Sequence, residues 1–158
     1  MNDGEGTEVP EDDFTLAGVP QVGPARAYEA LSGGDAALVD VRTRAEWAFV
    51  GLPDLAPVGA QPVLGEWRRY PDMTPNPGFV DQLLDAFGGR PPKRLLFLCR
   101  SGGRSQEAAL ATSAALRERG LEAECCNVAE GFEGDLGPDG HRGGVNGWKV
   151  RGLPWRQS

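Results

Sequence analysis

The stretch "LLFLCRSGGRSQEAAL" (Leu95 to Leu110) decides the fold of this chain. An unbroken apolar run ends in Cys99, and a short polar loop then leads into an alanine-rich segment. Unbroken apolar runs of this length are typical of parallel strands that are buried on both faces. Because parallel strands need crossover connections, the stretch predicts a strand, a tight loop and a helix within an α/β domain.

The rest of the chain repeats this alternation. The runs "AALVDV" (Ala36 to Val41) and "EAECCNV" (Glu122 to Val128) predict two further strands. Helices are predicted within "PARAYEALSGG" (Pro24 to Gly34) and "NPGFVDQLLDAFGG" (Asn76 to Gly89), with one or two helical turns over "TRAEW" (Thr43 to Trp47). We therefore expect a mostly parallel sheet with helices on both faces, which binds ligands beyond the carboxyl ends of its strands.

Acidic residues are concentrated at the N-terminus of the 158-residue chain. Residues 1–13 hold six of the 23 acidic residues and no basic one, which leaves 17 acidic residues against all 16 Lys and Arg. We expect a disordered acidic tail over residues 1–15 and a single domain over 16–158, with a proline-rich insert at about 51–77. A near-neutral domain without a basic stripe argues against nucleic-acid binding.

The apolar segments and the cysteines indicate the compartment. No segment approaches the roughly 20 consecutive apolar residues that span a bilayer, and the N-terminus lacks the features of a signal peptide. Three cysteines, two of them adjacent (Cys125 and Cys126), make a poor disulfide framework. We expect a cytoplasmic protein with no membrane partner, no metal site and no cofactor, and with the adjacent cysteines buried and inert.

The loop after Cys99 has the composition of an anion-binding cup. Gly102 and Gly103 allow the backbone to curl with its N–H groups pointing inward, and the following helix directs the positive end of its dipole to the same place. We expect Ser105 to be the N-cap of that helix. Such surroundings favour thiolate over thiol, so a reactive nucleophile is favoured over an inert core cysteine at Cys99.

Three separated motifs resemble those of the rhodanese-like sulfurtransferases. "CRSGGRS" (Cys99 to Ser105) resembles the active-site loop of that family, and "GW…GLPW" (Gly147 to Trp155) looks like its C-terminal signature. "LVDVRTRAEW" (Leu38 to Trp47) is similar to the family's aspartate–hydrophobic–arginine motif with a later glutamate, which maps onto Asp40, Arg42 and Glu46. The resemblance covers about residues 21–155 and implies a three-layer α/β/α domain with a central, mostly parallel sheet.

The resemblance implies a sulfurtransferase with no cofactor. Cys99 would be the catalytic nucleophile, taking sulfane sulfur from a small anionic donor such as thiosulfate and passing it from a persulfide to a thiol or cyanide. The substrate would be bound by the loop residues Arg100, Ser101, Gly102, Gly103, Arg104 and Ser105. Arg104 and the loop N–H groups would stabilise the persulfide, and Arg100 would attract the donor. Asp40, Arg42 and Glu46 would hold the loop in place.

The sequence departs from the family pattern in three places. "GLPDLAPVGA" (Gly51 to Ala60) replaces the family's Gly-His-Ile, and Ser101 stands where members that prefer thiosulfate carry a second cation. In the long insert, Trp67 is a candidate for a wall of the pocket, with plain packing as the alternative. His141 is expected to be a solvated loop residue.

Two other functions remain open at this stage. A cysteine phosphatase or arsenate reductase on the same scaffold would place five residues between cysteine and arginine, whereas four separate Cys99 from Arg104. A non-enzymatic rhodanese-like module would serve as a sulfur carrier that hands persulfide to a protein acceptor, or as a protein-binding unit.

Overall fold

The structure is a computed structural model that describes residues 14–158. The strands are β1 (Phe14–Leu16), β2 (Val19–Val22), β3 (Ala36–Asp40), β4 (Leu52–Pro53), β5 (Val63–Leu64), β6 (Arg68–Arg69), β7 (Thr74–Pro75), β8 (Arg94–Leu98), β9 (Glu124–Val128) and β10 (Trp155–Arg156). The helices are α1 (Pro24–Leu31), α2 (Arg44–Phe49), α3 (Phe79–Ala86) and α4 (Gly103–Glu118), and a 3-10 turn spans Ala56–Val58.

Strand β1 corrects the N-terminal boundary that the sequence suggested. The predicted acidic tail over residues 1–15 falls mostly on residues 1–13, which lie outside the described residues. Its last two positions, Phe14 and Thr15, pair in antiparallel fashion with β2 and are part of the sheet. Phe14 and Thr15 belong to residue types that are enriched in strands, in agreement with this pairing.

The central sheet has six strands in the order β1-β2-β9-β8-β3-β5. All neighbouring strands in it run parallel except β1, which is antiparallel to β2. Strand β8 lies between β9 and β3, with Leu96 opposite Cys126 on one side and Leu38 on the other. The predicted mostly parallel α/β sheet is confirmed, and β3 and β8 end at the same edge.

Both faces of the sheet are covered by apolar packing. On one face, α3 and α4 pack through Phe79, Leu83, Ala108 and Leu116. On the other face, α1 packs beside side chains from the loops, among them Phe132 and Trp148. The result is the expected three-layer arrangement of helix, sheet and helix.

The adjacent cysteines point to opposite faces of the sheet. Cys125 lies in the core beneath α4, and Cys126 lies in the core beneath α1, so both are buried. Burial raises the pKa of Cys125 to about 12. Burial likewise raises the pKa of Cys126 to about 11, against the opposing hydrogen bond from Arg94. Neither side chain is a thiolate near neutral pH, as expected for inert core cysteines.

The proline-rich insert is built from short pieces. Strand β5 extends the sheet beyond β3, while β6 and β7 form a separate two-stranded ribbon. The C-terminal β10 pairs with β4 and ties the end of the chain to the start of the insert. No helix within residues 14–158 has the length and apolar character that crossing a membrane requires.

Candidate active site

Cys99 lies directly after β8, at the carboxyl edge of the sheet, and is only 1% exposed. The backbone N–H of Gly102 donates to its Sγ at 3.1 Å, so the loop does curl around the sulfur. Arg100 is exposed at the rim of the loop, and Ser101 is half-buried behind it. The first turn of α4 starts immediately beyond, and its positive dipole end faces the thiol.

The structure corrects the expected start of helix α4. Ser105 is not the N-cap: the helix begins at Gly103, with Gly102 as its N-cap at φ +114°. Only a residue without a Cβ adopts that conformation readily, so the paired glycines start the helix three residues earlier than a cap at Ser105 would. Ser105 therefore sits in the first turn, fully buried, with its Oγ 3.2 Å from Cys99 Sγ.

The loop rests on a segment that the sequence reasoning missed, "AEGFEG" (Ala129 to Gly134), which follows β9. Phe132 N–H donates to the carbonyl of Cys99 at 2.8 Å. The N–H groups of Glu133 and Gly134 donate to the carbonyl of Arg100 at 3.0 and 3.1 Å. The position of this segment in the predicted topology could have identified it, because it follows β9, the neighbour of β8, at the same edge of the sheet.

Arg104 and Glu46 form a closed ion pair beside the loop. Two guanidinium nitrogens of Arg104 lie 2.8 and 2.9 Å from the two carboxylate oxygens of Glu46. Glu46 also forms a capping box with Thr43 at the start of α2. Burial raises the pKa of Glu46, but the hydrogen bonds and charge of Arg104, with help from Thr43, outweigh it and lower the pKa to about 2. The charge of Arg104 is therefore largely neutralised by its partner.

Asp40 and Arg42 form a second ion pair, deeper in the molecule. Arg42 donates to both oxygens of Asp40, from Nε at 2.9 Å and from a terminal nitrogen at 2.7 Å, and neither side chain is exposed. The same terminal nitrogen donates to the carbonyl of Gly51, and the guanidinium lies 4.3 Å from the ring centroid of Phe132. Since Phe132 N–H holds the Cys99 carbonyl, this pair supports the loop indirectly.

A cavity of about 400 Å³ opens beside the loop, between α2 and the insert. Arg100 and Arg104 line it from the loop, and Phe49, Tyr70 and Met73 are among its apolar walls. Trp67, the predicted candidate for a wall, is not among the lining residues. It packs edge-to-face on Phe79 and donates its indole N–H to Glu107 at 3.0 Å, because its ring is drawn down onto the core beneath.

His141 stands apart from these groups. Its side chain is 80% exposed and lies beside Asp139, as expected for a solvated loop residue. Within residues 14–158, no group of three or more His, Cys, Asp and Glu side chains is arranged to hold a metal ion.

Comparison with known proteins agrees with this geometry. Residues 23–136 match the family described as "Rhodanese-like domain". The chain is 34% identical over 140 residues to the "Uncharacterized protein RP600 homolog" of Rickettsia rickettsii, covering 87% of this chain and 98% of that protein. It is also 34% identical over 140 residues to "Uncharacterized protein RC0915" of Rickettsia conorii, with the same coverage.

A solved structure has the same fold. The crystal structure of Rv0390 from M. tuberculosis superposes with a TM-score of 0.73 at 44% sequence identity, covering 87% of this chain and 97% of that one. Together with the family match over most of the chain, this similarity establishes that the protein belongs to the rhodanese-like domain family.

Proposed function

We propose that this chain is a sulfurtransferase that moves sulfane sulfur through a persulfide on Cys99. The observation that carries the proposal is the environment of Cys99 Sγ, with Gly102 N–H at 3.1 Å and Ser105 Oγ at 3.2 Å, at the N-terminus of α4. Donors aimed at a sulfur in a site with little water stabilise its anionic form and the persulfide anion that replaces it.

The reaction has two balanced steps. The Cys99 thiolate attacks the outer sulfur of a donor such as thiosulfate; a sulfur–sulfur bond forms, the donor's own sulfur–sulfur bond breaks, and sulfite leaves with the electron pair. A thiolate or cyanide then attacks the outer sulfur of the persulfide, and Cys99 leaves again as thiolate. Neither step needs an external oxidant or reductant, so the proposed mechanism requires no cofactor.

The cavity beside the loop has room for a sulfur donor or acceptor that is larger than thiosulfate. Arg100 is exposed there, and within residues 14–158 it forms no ion pair with a carboxylate, so its charge is available to an anionic group. Phe49, Tyr70 and Met73 offer apolar contact to an organic body next to that group. The side chain of Phe49 is 83% exposed, which suits an acceptor thiol presented by a protein.

The test is the intact mass of the protein after incubation with thiosulfate, and separately with mercaptopyruvate. We expect a gain of about 32 Da for one bound sulfur atom, which cyanide removes. The matched controls are the other two cysteines: Cys125→Ser and Cys126→Ser should keep the adduct, and Cys99→Ser should lose it. Absence of an adduct from either donor in the wild type would rule out the proposal and favour a binding module.

A further inference from the structure

A buried polar cluster lies under Cys99, on the side of the sheet that faces α4. Ser105 Oγ is 3.2 Å from Cys99 Sγ and 2.5 Å from the side-chain carbonyl oxygen of Asn127. Asn127 is on β9 and is 3% exposed, so water does not compete for these contacts. A serine hydroxyl carries a single hydrogen and therefore donates to one of these two neighbours at a time.

Fixed acceptors settle which way the amide of Asn127 points. Its Nδ2 donates to the backbone carbonyl of Gly102 at 3.2 Å and to Gln21 Oε1 at 3.0 Å. Gln21 is fixed in turn, because its Nε2 donates to the carbonyl of Val19 at 3.1 Å and to Gln106 Oε1 at 2.7 Å. Since a carbonyl only accepts, Asn127 Oδ1 must face Ser105 and accept from it.

This arrangement gives the Ser105 hydroxyl two states. With an intact thiol, the hydroxyl donates to Asn127 and its oxygen accepts the S–H of Cys99. Once that proton has left to water, the sulfur can only accept, and the hydroxyl turns its hydrogen toward the thiolate. Hydrogen bonds to a charged group are about twice as strong as those between neutral groups, so the turn is favoured despite the loss at Asn127.

We propose that Asn127 is a positioning residue for the reactive sulfur: it holds the Ser105 hydrogen away from Cys99 in the thiol state and releases it when the thiolate forms. Asn127 thus opposes thiolate formation, whereas Ser105 promotes it. The inference rests on the proposed function in taking Cys99 as the nucleophile. It does not depend on the identity of any sulfur donor.

The charged groups around Cys99 are the same in both states. Arg104 is paired with Glu46, Asp40 with Arg42, and Arg100 is at the exposed rim. On the elements packed against the loop, the carboxylate of Glu107 binds Trp67 and Arg68, and that of Glu130 binds Gly147 and Arg151. The pKa of Glu46 is lowered to about 2, so its pair with Arg104 stays ionised through neutral pH.

The experiment measures the rate of iodoacetamide alkylation of Cys99 against pH, with adducts assigned by peptide mass. Cys125 and Cys126, whose pKa values are raised to about 12 and about 11, do not interfere. Ser105→Ala should raise the pH midpoint of alkylation by about one unit, and Asn127→Ala should lower it by a similar amount. In the double variant the downward shift should be absent, since the carbonyl of Asn127 reaches the sulfur only through the serine; the lost contact between Asn127 Nδ2 and the Gly102 carbonyl is common to Asn127→Ala and the double variant.

Thr112→Val is the matched control for the serine. Thr112 lies on the same helix, is fully buried, and its hydroxyl has no hydrogen-bond partner among the described residues. The pH midpoint of Cys99 alkylation in Thr112→Val should equal that of the wild type. An unchanged or raised midpoint in folded Asn127→Ala, or a double variant whose midpoint falls below that of Ser105→Ala, would overturn the proposal.

A second measurement needs no variant at Asn127. In the wild type, the side-chain NH₂ resonances of Asn127 should shift with pH at the same midpoint as Cys99 alkylation, because the hydrogen bond to its carbonyl is lost there. Resonances that stay constant through that midpoint would also overturn the proposal. Both readouts work without sulfur transfer, so failure of the sulfurtransferase proposal would be seen separately in the mass experiment.

Discussion

At the scale of single residues, Glu46 joins two parts of the site. It completes the capping box of α2 with Thr43 and binds both terminal nitrogens of Arg104 from the loop. Its side chain is 19% exposed, so water screens the pair only in part. A carboxylate in that position orients the first turn of α4 as well as α2.

The lowered pKa of Glu46 makes stability depend on acid. The pKa of Glu46 is about 2 in the folded protein, against 4.5 for an unperturbed glutamate. The stabilisation is therefore complete above pH 4.5 and is lost as the pH falls toward 2. At roughly 1.4 kcal/mol for each pKa unit, the shift corresponds to about 3.5 kcal/mol at pH 7, which screening by water reduces to about 2–3 kcal/mol. Glu46→Gln should therefore lower the free energy of unfolding by about that amount at pH 7 and by much less near pH 2.

Urea denaturation at a series of pH values is the measurement. Asp81→Asn is the control, because the Asp81 side chain is 71% exposed in its pair with Arg119. An exposed pair contributes little, so its removal should leave the acid dependence nearly unchanged. Parallel curves for Glu46→Gln and the wild type would contradict the account of the Glu46 pair.

At the scale of elements, the loop after β8 and the segment after β9 form one unit. The closest approach is at Gly131, where a Cβ would lie 2.5 Å from the carbonyl carbon and oxygen of Arg100 and 2.6 Å from Ser101 N. No backbone atom can tolerate that contact, so any side chain there displaces the loop. The shape of the cup around Cys99 thus depends on a glycine from another element.

Gly131→Ala should abolish persulfide formation, whereas Gly120→Ala should not. The two glycines have nearly the same φ, +72° and +71°, but a Cβ at Gly120 meets nothing within 4 Å. Each variant pays the strain of a left-handed alanine, about 1–2 kcal/mol, and only the first displaces the loop. The measurements are adduct mass and thermal unfolding; equal adduct levels in the two variants would show that the contact does not shape the site.

At the scale of the whole molecule, the pair of Asp40 and Arg42 lies where several parts of the chain meet. Asp40 is the last residue of β3, and its partner Arg42 contacts the carbonyl of Gly51 before β4 and the ring of Phe132 from the segment after β9. Both charges are fully buried. Removing one partner leaves the other uncompensated in a medium of low dielectric constant, which costs far more than the loss of a surface pair.

Arg42→Ala should lower the free energy of unfolding by about 3–5 kcal/mol. The control is Lys93→Ala, since Lys93 and Asp35 are 83% and 74% exposed at a separation of 4.0 Å. That change should stay within about 0.5 kcal/mol of the wild type. Chemical denaturation followed by tryptophan fluorescence gives both values, and a similar small loss in both variants would refute the central role of the buried pair.

The sequence sufficed for those features that one segment determines by itself. The apolar run before Cys99 predicted β8, helical spacing predicted α3, and the run "AALVDV" predicted β3, which ends at Asp40 on the edge of the sheet that holds Cys99. Features that need two segments were missed. The donor in the segment Ala129–Gly134 is an ordinary backbone N–H. Asn127 is the single polar residue among the buried positions of β9, and the sequence pattern does not indicate which groups it faces.

Some local predictions failed for a related reason. A serine before an alanine-rich run favours an N-cap. Gly102 at positive φ instead starts α4 earlier, and Ser105 in the first turn contacts Cys99. Trp67 and Tyr70 lie three positions apart in the insert, and the sequence does not reveal which ring packs inward and which lines the cavity. Both outcomes are set by tertiary contacts that propensity does not contain.

Because only 1% of Cys99 is exposed, the rate at which an oxidant reacts with it should depend on the size of the oxidant. Hydrogen peroxide needs only a narrow opening to oxidise the sulfur to a sulfenic acid, whereas a bulky disulfide has to bring one of its sulfur atoms in line with a recessed cysteine. Mixed disulfides should therefore accumulate slowly on this protein. The cup around Cys99 should therefore protect this cysteine from large oxidised thiols.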